Sequence, residues 1–308
     1  MKIIKPKKLE KGDTIGFLAV SGKIKEYERI EKAAQFFEKM GYNVVISDTC
    51  KTSHRYMAGK NDDDCINALH NFFIDKSINA IVCVRGGYGT IRLINKIDWN
   101  IIEKNPKIFA GYSDITTLLA MFYKKTGLIT FHSAMPNGDF SQELDDYTVQ
   151  SFFNTLEGKT KEYTAKNPVL YNTGMAKGIL WGGNLSTLSA LCGIDFIPNE
   201  DLILFLEDLN EPVYKIDRML NQLFALKEIK KNVKGIVIGE FKDIDNIQML
   251  DEVIMEFALA LNIPVVRGFN ITHSKTKDTI PFGVQAELLA QDGILTIKDN
   301  YFINVSNS

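Results

Sequence analysis

The first half of the chain alternates short apolar, β-branched runs with longer helical patterns, and few architectures satisfy that rhythm. Thr14 to Val20, Tyr42 to Ser47, Ala80 to Val84 and Lys107 to Tyr112 read as strands, while 25–40, 61–75, most of 89–104 and Asp114 to Lys125 read as helices. Alternation of this kind argues for an α/β architecture in which a parallel sheet is covered by helices.

Between about 155 and 175 the pattern dissolves into Glu157-Gly158-Lys159-Thr160-Lys161-Glu162 and Lys166-Asn167-Pro168, a polar stretch rich in turn residues with no sustained period. This places a linker over 156–175, after an α/β domain at 1–155 and before a second domain at 176–308. The second domain has its own elements: strands Leu202 to Leu206 and Val233 to Ile238, helices near 214–227 and 249–261, and Val284 to Leu289 with Gly293 to Ile297 as antiparallel strands. Two domains suit 308 residues, more than one ordinary core holds.

Composition narrows the class of partner. Hydrophobic residues make up 45% and charged residues 24%, the balance of a globular protein, and the formal net charge of −2 removes the electrostatic reason to expect nucleic acid or an acidic membrane. Cys50, Cys65, Cys83 and Cys192 are widely spaced, with no Cys-x-x-Cys pair and no histidine cluster to complete a zinc site, so they read as reduced thiols and no metal or cofactor is expected. The amino-terminal stretch is basic but lacks the apolar run of a secretory signal, and no apolar run approaches the ~20 residues that span a bilayer. The expected compartment is the cytoplasm.

Three islands bear chemistry. Lys107 to Tyr112 runs straight into Ser113-Asp114-Ile115-Thr116, and strand, tight turn, helix is the geometry of a nucleophile elbow. Such a turn leaves the first helical N–H groups unpaired, with the Asp114 amide the obvious oxyanion donor. Gly-x-Ser-x-Gly is incomplete, because Ile115 stands where the last glycine belongs, and serine also suits a simple helix cap. Val84-Arg85-Gly86-Gly87-Tyr88-Gly89 follows a strand and lets backbone approach a ligand closely, as a second oxyanion donor or merely as a tight turn; neither Gly-x-Gly-x-x-Gly nor the Walker pattern is satisfied. Glu207 and Asp208 close the apolar run Leu202 to Leu206, a usual place for site residues in open sheets and equally for solvated acids. Among the histidines, His273 lies in the polar loop Asn270-Ile271-Thr272-His273-Ser274-Lys275, while His54, His70 and His132 have no partner spacing.

In order along nearly the whole chain, Arg85-Gly86-Gly87-Tyr88-Gly89, Gly111-Tyr112-Ser113-Asp114, Gly182-Gly183-Asn184, Leu206-Glu207-Asp208 and His273 with Ile280-Pro281-Phe282-Gly283 resemble the LD-carboxypeptidase family of serine peptidases, which also contains the microcin C self-immunity peptidases. The resemblance implies a first domain similar to class I glutamine amidotransferases and a β-rich α+β second domain. It implies a Ser113, Glu207, His273 triad, with the nucleophile on the first domain and its partners on the second. Backbone oxyanion donors then fall at Asp114 and Gly87, and Arg85, Gly86, Trp181 and Asn184 become candidates for substrate binding. The implied substrate is a short peptide or muropeptide cut between an L-centre (diaminopimelate or lysine) and a terminal D-amino acid, and the implied assembly is a homodimer. A peptidyl-nucleotide antibiotic is the alternative substrate, and a non-catalytic peptide-binding module is the alternative of a different class. Two positions depart from the family: His132-Ser133-Ala134-Met135 replaces His-Gly-Pro-Met, and Thr272-His273 replaces Gly-His.

Overall fold

Ala80–Cys83 and Ile108–Gly111 are buried along their whole length, as strands are when a parallel sheet is covered by helices on both faces. The computed structural model describes residues 2–303, and the chain divides into two units. In chain order the first unit carries β1 (Thr14–Leu18), α1 (Tyr27–Lys39), β2 (Asn43–Ile46), a short hairpin of β3 (Ser53–His54) and β4 (Met57–Ala58), α2 (Asp62–Ile74), β5 (Ala80–Cys83) and α3 (Trp99–Lys104). It continues with β6 (Ile108–Gly111), α4 (Thr116–Thr126), β7 (Thr130–His132), α5 (Pro136–Asp139) and α6 (Asp146–Leu156).

The second unit carries β8 (Glu162–Thr164), β9 (Val169–Asn172), β10 (Met175–Asn184), α7 (Leu185–Ala190), β11 (Leu202–Leu209), α8 (Val213–Phe224) and α9 (Lys227–Asn232). β12 (Val233–Lys242), α10 (Ile247–Leu261) and β13 (Val265–Arg267) follow, and after β14 (Ile280–Phe282) come β15 (Val284–Leu289) and β16 (Ile294–Ile297). Among the described residues no helix is long and apolar enough to cross a membrane.

The first sheet has the order β14-β7-β6-β5-β1-β2, with β2, β1, β5, β6 and β7 mutually parallel. The second has the order β8-β16-β15-β10-β11-β12-β13-β9, a parallel centre from β10 to β13 flanked by antiparallel strands on both sides. The architecture is therefore mixed α/β, with a parallel sheet first and a separate sheet unit second.

Local sequence explains most boundaries. Asn61 caps α2 by accepting the Asp64 amide at 2.9 Å, and three aspartates in its first turn complement the helix dipole. Asn246 caps α10 in the same way through Met249. The stretch 89–104, read as mostly helical, is instead a single 3-10 turn at Thr90–Arg92 and the short α3. Asp98 there accepts the Asn100 amide and starts a new helix rather than continuing an old one.

The stretch 156–175, read as a linker, instead supplies both edge strands of the second sheet: β8 pairs with β16 and β9 with β13. Each presents essentially one buried aromatic, Tyr163 or Tyr171, among more exposed neighbours. That is too little apolar pattern to register as a period, and it is how edge strands limit unwanted pairing. The division is also less linear than 1–155 and 176–308: the second unit runs from Thr160 to Asp278 and from Phe282 to Asn300, while Thr279–Pro281 and Tyr301 to Ile303 belong to the first.

The first core centres on Phe37 of α1, whose ring lies 5.3 Å from Phe17, 5.0 Å from Phe140 and 5.6 Å from Phe152, edge-on to each. Its complete burial gives a stability test. Phe37→Ala is expected to cost about 3–5 kcal/mol, the range for a fully buried aromatic that leaves a cavity, read as a lower denaturation midpoint.

Candidate active site

In an open parallel sheet the carboxyl ends of adjacent strands bring residues from distant sequence together. β1, β5 and β6 are neighbours, and their exits are Ser21, the Arg85–Gly89 loop and Ser113. Ser113 has φ of 63°, a left-handed conformation that costs a non-glycine residue energy. Strain of this kind between a strand and a helix is what lifts a side chain clear of the sheet in a nucleophile elbow. Ser113 also opens the 3-10 turn Ser113–Ile115 that leads into α4, so the Asp114 amide sits at a helix start, where N–H groups lack intrahelical acceptors.

Two features hold the strained turn. The buried Asp114 carboxylate accepts the Ser21 hydroxyl at 2.6 Å and the Thr90 amide at 3.0 Å, and the Thr90 hydroxyl donates to the Asp114 carbonyl at 2.7 Å. Gly86 lies so close that a Cβ there would stand 2.7 Å from the Ser113 Cβ and 2.8 Å from its Oγ. Gly87 beside it has φ of 124°, which side chains rarely adopt. The loop is pinned in turn by Arg85, which donates from Nε to the Gly86 carbonyl at 3.2 Å and from Nη1 to the Lys23 carbonyl at 2.8 Å.

The second unit repeats the device at the carboxyl ends of β10, β11 and β12. Glu207 and Asp208 are successive residues of β11 and so face opposite sides of the sheet. Glu207 is fully buried, and its Oε2 lies 2.6 Å from Nδ1 of His273. An ionised carboxylate only accepts, so Nδ1 carries the proton and Nε2 is the basic nitrogen. Asp208 meets other donors: the Ser186 amide at 2.7 Å, the Leu209 amide at 2.8 Å and the Asn184 side-chain amide at 2.9 Å. Of the two adjacent acids, Glu207 is thus the one that contacts the imidazole.

Asn184 caps α7, accepting the Thr187 amide at 3.1 Å. Trp181 is fully buried, its ring 5.7 Å from Phe196 and 6.1 Å from Phe282. Of the remaining histidines, His70 accepts the Asp98 amide at 3.0 Å, His54 bonds the Gly59 carbonyl and His132 packs edge-on against Tyr112. Sequence reasoning missed Ser21, Thr90 and Glu240. Ser21 had one signal, its place just past an apolar strand; the pairing of Glu240 with Thr272 had none.

A strained serine on an elbow and a histidine fixed by a buried carboxylate are the components of acyl transfer. The sequence matches the LD-carboxypeptidase N-terminal domain over residues 15–133 and the LD-carboxypeptidase C-terminal domain over residues 177–288. The chain belongs to the LD-carboxypeptidase family. A probable murein peptide carboxypeptidase of Bacillus subtilis is 36% identical over 92% of this chain and 91% of its own length. The microcin C7 self-immunity protein of Escherichia coli is 28% identical over 94% of each. Among solved structures, a muramoyltetrapeptide carboxypeptidase from Oxalobacter formigenes aligns with a TM-score of 0.82 at 28% identity, covering 93% of this chain and 99% of that one. The microcin C7 self-immunity protein in complex with aspartyl sulfamoyl adenosine aligns with a TM-score of 0.88 at 26% identity, covering 97% and 100%. As a member of the family, the protein is a serine carboxypeptidase, a hydrolase.

The Gly86 contact gives one test. Gly86→Ala forces a methyl group against the Ser113 Cβ and Oγ, and the turnover of this LD-carboxypeptidase is expected to fall on the order of 100-fold, with stability lowered by about 1–3 kcal/mol as the turn shifts to admit it.

The Asp208 carboxyl gives another. It is pushed up to about 6, first by burial and then by the adjacent Glu207 charge, with hydrogen bonds from Leu209, Ser186 and Asn184 pulling it back. Because the folded protein holds this proton more tightly than the unfolded chain, the contribution favours the fold at low pH and is lost as pH rises from about 4 through about 6. Asp208→Asn should therefore flatten the pH dependence of stability across that window, as measured by denaturant midpoints on either side of it.

Proposed function

We propose that the protein is a cytoplasmic LD-carboxypeptidase of murein peptides, which removes a terminal D-amino acid from an L-centred diaminopimelate or lysine residue during peptidoglycan recycling. The observation that carries the chemistry is the 2.6 Å contact between the buried Glu207 carboxylate and Nδ1 of His273. It leaves Nε2 as the base for a serine nucleophile. Similarity to the murein peptide carboxypeptidase of B. subtilis supports the substrate class. The four free cysteines, with burial pushing the Cys50 and Cys65 thiols up to about 12, fit a reducing compartment. A homodimer completes the proposal.

In this reading Ser113 Oγ attacks the scissile carbonyl as His273 Nε2 takes its proton. Glu207 fixes the ring tautomer and stabilises the imidazolium. The amides of Asp114 and Gly87 receive the oxyanion. His273 then protonates the departing D-amino acid, and a water activated by the same ring hydrolyses the acyl-enzyme. Arg85 suits the terminal carboxylate: hydrogen bonds to Lys23 and Gly86 use Nε and one Nη1 proton and hold the planar fork in place, leaving its other N–H groups for a ligand.

The decisive assay is mass spectrometry of products from an L,D-tetrapeptide ending in D-alanine, its carboxy-terminal amide and its all-L isomer. Release of D-alanine from the first alone is expected. Ser113→Ala should lower turnover by ~10⁴-fold or more and abolish labelling by a fluorophosphonate probe, and Glu207→Gln should cost far more than Asp208→Asn. Equal hydrolysis of all three peptides sinks the carboxypeptidase reading, and absence of labelling in the unaltered protein favours a binding module. The alignment with the microcin C7 self-immunity protein bound to aspartyl sulfamoyl adenosine favours a second reading, hydrolysis of a peptidyl-nucleotide; faster cleavage of a peptidyl-adenylate analogue than of the tetrapeptide would promote it.

A further inference from the structure

The register between β11 and β12 slips where His273 is held. Leu206 pairs with Ile238 and Asp208 with Phe241, so the two residues Gly239 and Glu240 stand opposite the single Glu207. A bulge of this kind re-aims side chains and releases backbone groups from the ladder. Both residues turn to the loop that carries the histidine. The Glu240 amide donates to the Ile271 carbonyl at 2.9 Å, and a Cβ on Gly239 would stand 2.0 Å from that same oxygen, so only glycine admits the loop this close.

The Glu240 side chain continues the contact. Its carboxylate accepts the Thr272 hydroxyl, and the Thr272 oxygen accepts the Ser274 amide at 2.8 Å. One buried hydroxyl therefore ties the residues on both sides of His273, while the ring of His273 meets Glu207. A cavity of about 420 Å³, lined in part by Glu240, Asn270, Thr272 and Ser274, adjoins the turn. On that side the Glu240 to Thr272 bond ties the turn to β12.

We propose that Thr272 and Glu240 are positioning residues, which hold the turn from Thr272 to Ser274 so that the imidazole of His273 meets the Glu207 carboxylate. The proposal rests on His273 being the general base and adds to it a device made by threonine, whose hydroxyl glycine at this position lacks. Valine matches the shape of threonine but removes both roles of the hydroxyl; serine keeps them.

The test is steady-state hydrolysis of an L,D-tetrapeptide ending in D-alanine, together with proton NMR of the His273 Nδ1–H, which a short bond to a carboxylate shifts far downfield. Thr272→Val should lower kcat on the order of 10- to 100-fold with KM changed by less than about twofold, and should weaken or broaden the downfield signal. Thr272→Ser should restore both. Glu240→Ala should reproduce the loss, and the double variant should be no worse than either single one, as coupled partners require. Wild-type kcat with an intact signal in Thr272→Val, or additive losses in the double variant, overturns the proposal. His273→Gln separates the two levels: if it is inactive while Thr272→Val is fully active, only the positioning role fails, and if it is active, the catalytic reading itself fails.

Discussion

A carboxylate taken out of water must be compensated by donors brought to it, and the parallel centre of the second sheet is arranged around that demand. Glu207 and Asp208 are both buried at the same strand end, and alternation along β11 sends them to opposite faces. Two donor sets are therefore needed. The end of β10 and the start of α7 bring Asn184 and Ser186 to Asp208, and the loop after β13 brings His273 to Glu207. The arrangement explains why β10 ends in asparagine: its side-chain oxygen caps the helix while its nitrogen serves the acid.

The first sheet also buries an acid, Asp114, and uses it to hold a strained backbone. Ser113 holds a left-handed conformation that nothing in its own chemistry favours. The surrounding strand ends impose it, through the Asp114 hydrogen bonds to Ser21 and Thr90 and through the close approach of Gly86. In both sheets a buried acid at a strand end is met by groups that end or follow other strands of the same parallel array: Ser21 and Thr90 for Asp114, Asn184 and Ser186 for Asp208, and His273 for Glu207. Sheet order, rather than sequence proximity, decides which residues can cooperate.

This distinction accounts for what was legible in the sequence. In the first sheet β1, β2, β5 and β6 could be read from short apolar, β-branched runs, whereas β7 and β14, three residues each, are too short to register as a pattern. Ser113 could be read because strand, turn and helix follow without interruption. The contrast between Glu207 and Asp208 came from strand alternation together with family resemblance. The strands β8 and β9 could not be read, since an edge strand with a single buried tyrosine resembles a polar loop. The helix expected over 89–104 failed because capping by Asp98 outweighed helical spacing. The bulge in β12 left no trace at all: nothing in Ile236-Val237-Ile238-Gly239-Glu240 says that one extra residue enters the ladder there, and the Glu240 contact with Thr272 follows from that extra residue.

The path of the chain through the first unit has a consequence for how the molecule is made. Thr279 donates its amide to Ser151 and accepts the Thr155 hydroxyl, β14 forms the sheet edge beside β7, Phe302 stacks on Phe131 at 5.6 Å, and Ile303 bonds the Pro6 carbonyl. The second unit is thus an insertion within the first. On the ribosome, the segment up to Lys159 emerges with β7 as an open edge and Phe131 uncovered, and it stays so until more than a hundred further residues have been synthesised. The amino-terminal unit is first in order of synthesis and last to be completed, so its exposed edge must be kept from pairing with other chains for most of translation.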